Sequence, residues 1–346
     1  IATHRGSAVV IADGDPGFFG MVRALRDPTH GFEVEVIPAV SAVAAGFARA
    51  GMPWEDAKVV VATRRTLRRT VNVCRAHPKV AVLTAPGAGP AEIALLLRGV
   101  HRTFVVCESL GTDRERVTVL TSDRVAERQW SDPNLTIVLG VTSGAPPIDG
   151  WLAGLDPAAA REPRGWGLEP AAYGLAASAA GGPGSDAPMR AAQLAVLGPR
   201  PGDLLWDIGS AGGLAAVEAA RLGAAVIAVD RDAAACARGA EAARRTCVQL
   251  QTVHGVAPQI LADLPEPDLI RVGGGGTRTL IACADRRPQR LVTHAITRDE
   301  AESVGRELTG AGYAVRCTLL QAVDMDTHNW SERGRSVAFL LSGSRM

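Results

Sequence analysis

Two short segments, one in each half of the chain, hold the residues best suited to chemistry. In the second half, Asp207-Ile208-Gly209-Ser210-Ala211-Gly212-Gly213 follows an apolar run and precedes an alanine-rich one. Glycines at a strand-to-helix turn let a ligand come close to the backbone, and the amino terminus of the following helix offers unpaired N–H groups. Asp230 closes the next apolar run, where a carboxylate accepts hydrogen bonds from the two hydroxyls of an adenosine ribose. A nicotinamide cofactor and S-adenosylmethionine both meet those demands. The acid ending the first strand, with no third glycine at dinucleotide spacing, favours S-adenosylmethionine. In the first half, Gly14-Asp15-Pro16 ends a β-branched run, and Ser41-Ala42 opens an alanine-rich one. His294, at a strand end, is suited to carrying a proton near neutral pH. Arg190 or Arg271 is suited to holding carboxylates through its guanidinium fork.

Such residues need a scaffold to position them. Residues 9–12 and 33–37 read as strands, 19–26 as a helix, and Ser41 as the N-cap of a helix running to Arg49. Apolar strands at 59–61, 80–83, 103–106 and 135–139, with a helix at 90–97 among them, predict an α/β sheet. Between Gly140 and Asp186 prolines and glycines accumulate without apolar periodicity, which reads as a linker. Beyond it, a helix at 189–197, strands at 203–207, 225–229, 269–272, 290–293 and 315–320, and a helix at 214–222 predict a second α/β sheet. The organisation expected is therefore a domain at 1–142, a linker at 143–185 and a domain at 186–346.

With 346 residues, 47% of them hydrophobic, the chain has room for two α/β domains, each with its own core. A net charge of +1 leaves no basic excess for a phosphate backbone, so a small-molecule substrate is expected rather than nucleic acid. Six cysteines without a CxxC pair argue against a zinc site or a disulfide framework. No apolar run approaches the length of about 20 residues that spans a bilayer, and no signal-like segment opens the chain. A homo-oligomer in the cytoplasm, away from membranes, is the expected state.

At this point the residues resemble known families. Pro199-Arg200-Pro201-Gly202-Asp203-Leu204-Leu205-Trp206-Asp207-Ile208-Gly209 is similar to the "PRPGxxLWDxGxGxG" opening of the decarboxylating domain of precorrin methyltransferases. Gly255-Val256-Ala257-Pro258, Val272-Gly273-Gly274-Gly275-Gly276 and Thr293-His294-Ala295-Ile296-Thr297 resemble that family's "GxAP", "GGG" and "NAVT" segments. Ala211 stands where the family has glycine, His294 where it has asparagine, and Arg271 where it has an apolar residue. An alanine Cβ at position 211 is expected to narrow the approach of the ligand's amino acid moiety. In the first half, Gly14-Asp15-Pro16, Pro38-Ala39-Val40-Ser41-Ala42 and Ala50-Gly51-Met52-Pro53-Trp54 resemble the "GDP", "PGxSS" and "LGxPW" segments of tetrapyrrole methylases. Glu108-Ser109-Leu110-Gly111 with Glu115-Arg116-Val117 resembles their "ExLGxxxERV", while Ala62-Thr63-Arg64-Arg65 replaces "HGR". Members begin with a strand and a "GxGxG" loop; this chain opens at what should be their second or third strand, so the expectation is either that the natural start precedes the given sequence or that this half has lost part of its site.

The resemblance implies an α/β protein: a truncated, tetrapyrrole methylase-like amino-terminal domain and a Rossmann-like class I S-adenosylmethionine-dependent methyltransferase domain. It implies methylation of precorrin-6Y at carbons 5 and 15 and decarboxylation of the ring C acetate, giving precorrin-8 in cobalamin biosynthesis. Cofactor contacts implied are Asp207, Gly209, Ser210, Gly212, Gly213, Asp230, Gly255 and Ala257, and in the first domain Gly14, Asp15, Pro16, Ser41 and Ala42. His294 and Arg271 are the catalytic candidates, and Arg64, Arg65 and Arg271 would line a cleft for the substrate's carboxylates. Two other readings stay open: a methyltransferase acting on RNA or another small molecule through the second domain alone, and a non-catalytic S-adenosylmethionine- or tetrapyrrole-binding protein.

Overall fold

Alternating apolar side chains along five strands build the first sheet. The structure, a computed structural model, describes residues 6–12, 14–141, 153–154, 164–176 and 186–346. The first domain contains, in chain order, α1 (Met21–Leu25), α2 (Ala42–Ala50), β1 (Lys58–Val61), α3 (Leu67–Ala76), β2 (Lys79–Leu83), α4 (Pro90–Leu96), β3 (Thr103–Glu108), β4 (Arg116–Thr121), α5 (Ser122–Ala126) and β5 (Asn134–Leu139). The strands lie in the order β1-β2-β5-β3-β4. Only β1 and β2 are parallel. Because side chains alternate between faces, Val80, Val82, Phe104, Val106 and Val138 pack with Val71 and Cys74 of α3 and Ile93 of α4. Ala81, Val105, Cys107 and Ile137 pack on the opposite face with Val43 and Phe47 of α2.

The expected strands at 9–12 and 33–37 do not form. Val9, Ile11 and Ile37 are 91%, 89% and 79% exposed, and both segments are irregular. A strand persists only with a ladder partner and a covered face, and among the described residues β1 pairs with β2 alone.

The second domain contains α6 (Ala187–Leu197), β6 (Leu204–Ile208), α7 (Leu214–Arg221), β7 (Ala225–Asp230), α8 (Ala233–Arg245), β8 (Gln251–His254), β9 (Leu269–Val272), α9 (Gly276–Ala284), β10 (Arg290–Ala295), α10 (Arg298–Gly310), β11 (Tyr313–Met325) and β12 (Glu332–Arg345). Its seven strands run β11-β12-β10-β9-β6-β7-β8. Strands β6 to β10 are parallel to their neighbours among themselves, and β12 is antiparallel to both β10 and β11. The chain winds outward from β6 to β8 and then returns to β9 on the other side of β6. That reversal creates a switch point between β6 and β9, and open α/β sheets bind ligands beyond the carboxyl ends of such strands. Strands β11 and β12 stay paired past Ala295, where β10 ends opposite Phe339, so residues 320–325 and 332–338 form a two-stranded ribbon beyond the sheet.

Helix α3 joins the domains. Arg68 Nη1 lies 2.7 Å from Asp268 Oδ1, the buried Asn72 donates to the Gly202 carbonyl at 3.0 Å, and Arg75 Nη1 donates to Gln251 Oε1 at 2.7 Å. Each partner stands at the amino end of β6, β8 or β9. Burial there, followed by the nearby Asp268 carboxylate, raises the Asp203 pKa. The folded state therefore holds the Asp203 proton more tightly than the unfolded chain, and stability falls as pH rises from the ordinary carboxylate range through the raised value. Asp203→Asn is expected to raise Tm at pH 7 and to make little difference near pH 3.5. Thermal melts showing an equal shift at both pH values would contradict this.

Part of the stretch expected to be linker belongs to the second domain. Residues 164–176 pack on it, with Tyr173 1% exposed and inside its core. Of the rest of 143–185, only 153–154 fall among the described residues.

Candidate functional site

At the carboxyl ends of β6 to β9, three loops meet. Gly209 (φ 70°) leaves β6, and a Cβ there would stand 2.8 Å from the backbone nitrogen of Gly274 beyond β9. A Cβ at Gly213 (φ 72°) would stand 2.7 Å from Gly239 Cα. These glycines thus let the β6 loop lie against the β9 loop, and α7 against α8. The loop's amides are largely committed within the protein. Gly209 and Ser210 N–H both donate to the Val229 carbonyl, Gly213 N–H to the Ser210 carbonyl, and Ala211 N–H to Asp230 Oδ2 at 2.8 Å. The donors left for a ligand are those of the first turn of α7, which have no intrahelical acceptor.

Asp230 ends β7 with its carboxylate fixed from both sides, Oδ2 by the Ala211 amide and Oδ1 by the Asp232 amide at 2.9 Å. Each oxygen retains capacity for a second hydrogen bond, so the group is oriented and still able to accept two hydroxyls. The Gly255 N–H bonds the Asp230 carbonyl. Ala257, half-buried, accepts from Thr279 Oγ1 at 3.3 Å. The carboxyl end of β8 therefore stands beside Asp230.

Ala211 occupies a left-handed backbone position, φ 53°. That region costs an L-residue roughly 1–2 kcal/mol. Ala211→Gly is expected to relieve part of it, for a net gain of about 0.5–1 kcal/mol after glycine's own entropy cost. Denaturant titration would check this; a loss of stability would show that the methyl packs usefully.

Beneath this loop lies a buried polar cluster. Asp207 and Arg271 are cross-strand neighbours on β6 and β9, with Nη1 2.7 Å from Oδ1. Arg271 Nε donates to Gln193 Oε1 of α6 at 2.6 Å. Asp207 Oδ2 and Gln193 Nε2 have no hydrogen-bond partner among the described residues. Arg271 is 3% exposed, so the expectation that it lines a cleft with Arg64 and Arg65 is corrected: its guanidinium bonds Gln193 and Asp207 inside the domain, whereas Arg64 and Arg65 lie exposed on the first domain. Arg190 is likewise buried, 3.8 Å from Glu218. Of the catalytic candidates, His294 is the less buried. It is half-buried near the carboxyl end of β10, in register with Leu340 of β12.

In the first domain the two expected loops do meet. A Cβ on Gly14 would lie 3.5 Å from the Ala42 nitrogen and 4.0 Å from Ser41 Cα. Asp15 Oδ1 accepts from Gly17 N–H at 3.0 Å, and Pro16 is half-buried beside it. Ser41 Oγ caps α2 by accepting from Ala44 N–H at 3.1 Å. The acids of the "ExLGxxxERV"-like segment are ties rather than ligands. Glu108 accepts from Arg116 and from Ser131 N–H, and Glu115 accepts from Arg49 and from Gly111 N–H.

Sequence reasoning passed over Gln193, Glu218 and Tyr173. Glu218, fully buried in α7, accepts from Gly167 N–H at 3.1 Å, Leu168 N–H at 3.2 Å and the Tyr173 hydroxyl at 2.7 Å. Burial, followed by the Glu218 carboxylate, pushes the Tyr173 pKa up, so this hydroxyl is a donor and not a base. The signal available was an acid set in the otherwise apolar run Leu214-Ala215-Ala216-Val217-Glu218-Ala219-Ala220.

Both halves of the chain match known protein families. Residues 180–331 match the model of the precorrin methyltransferase domain, and residues 2–126 that of the tetrapyrrole (corrin/porphyrin) methylases. A precorrin-6Y C(5,15)-methyltransferase [decarboxylating] from Sinorhizobium sp is 32% identical over 335 residues, covering 93% of this chain and 76% of that one. A cobalt-precorrin-7 C(5)-methyltransferase from Salmonella typhimurium is 35% identical over 121 residues, 34% of this chain and 59% of its own. A probable cobalt-precorrin-6B C(15)-methyltransferase (decarboxylating) from Pyrobaculum calidifontis is 33% identical over 151 residues, 41% of this chain and 77% of its own.

Proposed function

From the premise that the chain belongs to the precorrin-6Y C(5,15)-methyltransferase (decarboxylating) family, we propose a division of labour between its two domains. The protein is an S-adenosylmethionine-dependent methyltransferase that methylates a precorrin-type tetrapyrrole and decarboxylates it. The first domain methylates carbon 5; the second methylates carbon 15 and removes the ring C acetate carboxylate. This assignment is supported by the C(5) and C(15) enzymes of other organisms, separate proteins that each match only part of the chain.

S-adenosylmethionine supplies an electrophilic methyl group on a sulfonium. Its fit to the second domain rests on Asp230, whose two oriented oxygens keep acceptor capacity beside the switch point. The residues that would hold it are Asp230 for the ribose, Gly209 to Gly213 and the first turn of α7 for the amino acid moiety, and Gly255 and Ala257 for the adenine. Orientation of the nucleophilic carbon against the methyl group provides most of the rate. His294, half-buried near the carboxyl end of β10, would handle a proton from the macrocycle. In the decarboxylation, the carbon–carboxylate bond breaks, carbon dioxide leaves, and the electron pair passes into the conjugated ring system, which acts as its own sink.

The oriented Asp230 carboxylate carries this reading. Incubating purified protein with precorrin-6Y and methyl-labelled S-adenosylmethionine is expected to transfer two methyls and release one carbon dioxide per macrocycle. One methyl with carbon dioxide would confine activity to the second domain, and no transfer would favour a non-catalytic binder. A cytoplasmic homo-oligomer that does not bind nucleic acid belongs to the same proposal. Six free cysteines suit a reducing compartment, and no described helix is long and apolar enough to cross a membrane.

A further inference from the structure

The two candidate sites face away from each other. In the first domain, the Gly14-Asp15-Pro16 and Ser41-Ala42 loops converge at the start of α2, and α2 covers one face of the first sheet. The second domain is attached through α3, which covers the other face. In the second domain, α3 contacts the amino ends of β6, β8 and β9, through Gly202, Gln251 and Asp268. Asp230 and the glycine loop lie at the opposite, carboxyl ends.

From this arrangement we infer that the once-methylated macrocycle leaves the protein between the two methylations and reaches the second site from solution. The inference rests on the division of labour proposed above. The length of β6 contributes about 15 Å of separation and the α3 and α2 layers about 10 Å each, so roughly 30 Å or more of packed protein divides the sites. The junction is built to stay in place. Its ion pair, Arg68 with Asp268, is joined by the buried Asn72, and Ala76 of α3 is part of the second domain's core cluster. A cavity of about 530 Å³ beside α4, lined in part by Leu95, Arg98, His101 and Val141, contains no residue of either site.

The test uses the full chain with precorrin-6Y in large molar excess and labelled S-adenosylmethionine. Hand-over within one molecule gives the second site a high effective concentration of intermediate, whereas release makes the intermediate compete with bulk substrate. Once-methylated tetrapyrrole is expected to exceed the twice-methylated product by about tenfold early in the reaction, with a lag before the latter appears. Twice-methylated product from the first turnovers, without free intermediate, would overturn the inference. Two full-length variants provide an independent check: Gly14→Val in the first domain and Asp230→Ala in the second. The variant blocked at the later methylation is expected to accumulate once-methylated macrocycle and the variant blocked at the earlier one to transfer little, and a mixture is expected to regain twice-methylated product at roughly half the rate of wild type at the same total concentration. Once-methylated macrocycle from one variant, with no twice-methylated product when the two are mixed, would overturn the inference while leaving the assignment of sites intact. No transfer by both variants, or by the wild type, would instead bring down the division of labour and the inference with it.

Discussion

Asp230→Ala is expected to weaken S-adenosylmethionine binding at the second domain by about 1–3 kcal/mol, roughly 5- to 150-fold, the worth of charge-assisted hydrogen bonds to ribose. Two effects add. The ribose hydroxyls lose a charged acceptor, and the Ala211 amide loses the carboxylate that fixes the loop, at 2.8 Å in the native protein. Asp230→Asn should cost less, because one acceptor oxygen remains. Because the proposed division of labour gives the first domain a cofactor site of its own, binding should be read by calorimetry together with carbon dioxide release, which on that proposal reports the second domain alone. Unchanged affinity and unchanged release would remove Asp230 from the site.

Glu218→Ala is expected to destabilise the second domain by about 3–5 kcal/mol, the usual cost of removing one partner from a buried charged network. Three donors would lose their acceptor at once: Gly167 N–H, Leu168 N–H and the Tyr173 hydroxyl. The guanidinium of Arg190, 3.8 Å away, would lose its carboxylate neighbour. Segment 164–176 should then detach and become sensitive to protease before the rest of the domain unfolds. Denaturant titration would give the magnitude. A loss below about 1 kcal/mol would place this network among ties that contribute little.

The parts of the fold legible in the sequence were those buried on both faces. Strands β6, β7 and β9 read as apolar runs because helices cover each side, and Asp230 stood out as an acid closing one of them. Strand β8, Gln251-Thr252-Val253-His254, is polar enough to pass for loop, and β12 begins Glu332-Arg333-Gly334-Arg335-Ser336 because that portion lies in the ribbon beyond the sheet. Arg271 was misread for a physical reason. A charge inside an apolar strand is a fair signal of chemistry, but its partner Asp207 is 64 positions away and only strand register brings them together. In the first domain, β-branched runs at 9–12 and 33–37 satisfied strand propensity without finding a neighbouring strand. Propensity on its own does not supply that neighbour.

The measurement closest to the central claim is a crystal structure of the protein with S-adenosylhomocysteine. The ribose hydroxyls should lie within hydrogen-bond distance of the Asp230 carboxylate, with the amino acid moiety over the loop from Gly209 to Gly213. A crevice closed by side chains at the carboxyl ends of β6 and β7, with the adenosine bound elsewhere in the second domain, would contradict it.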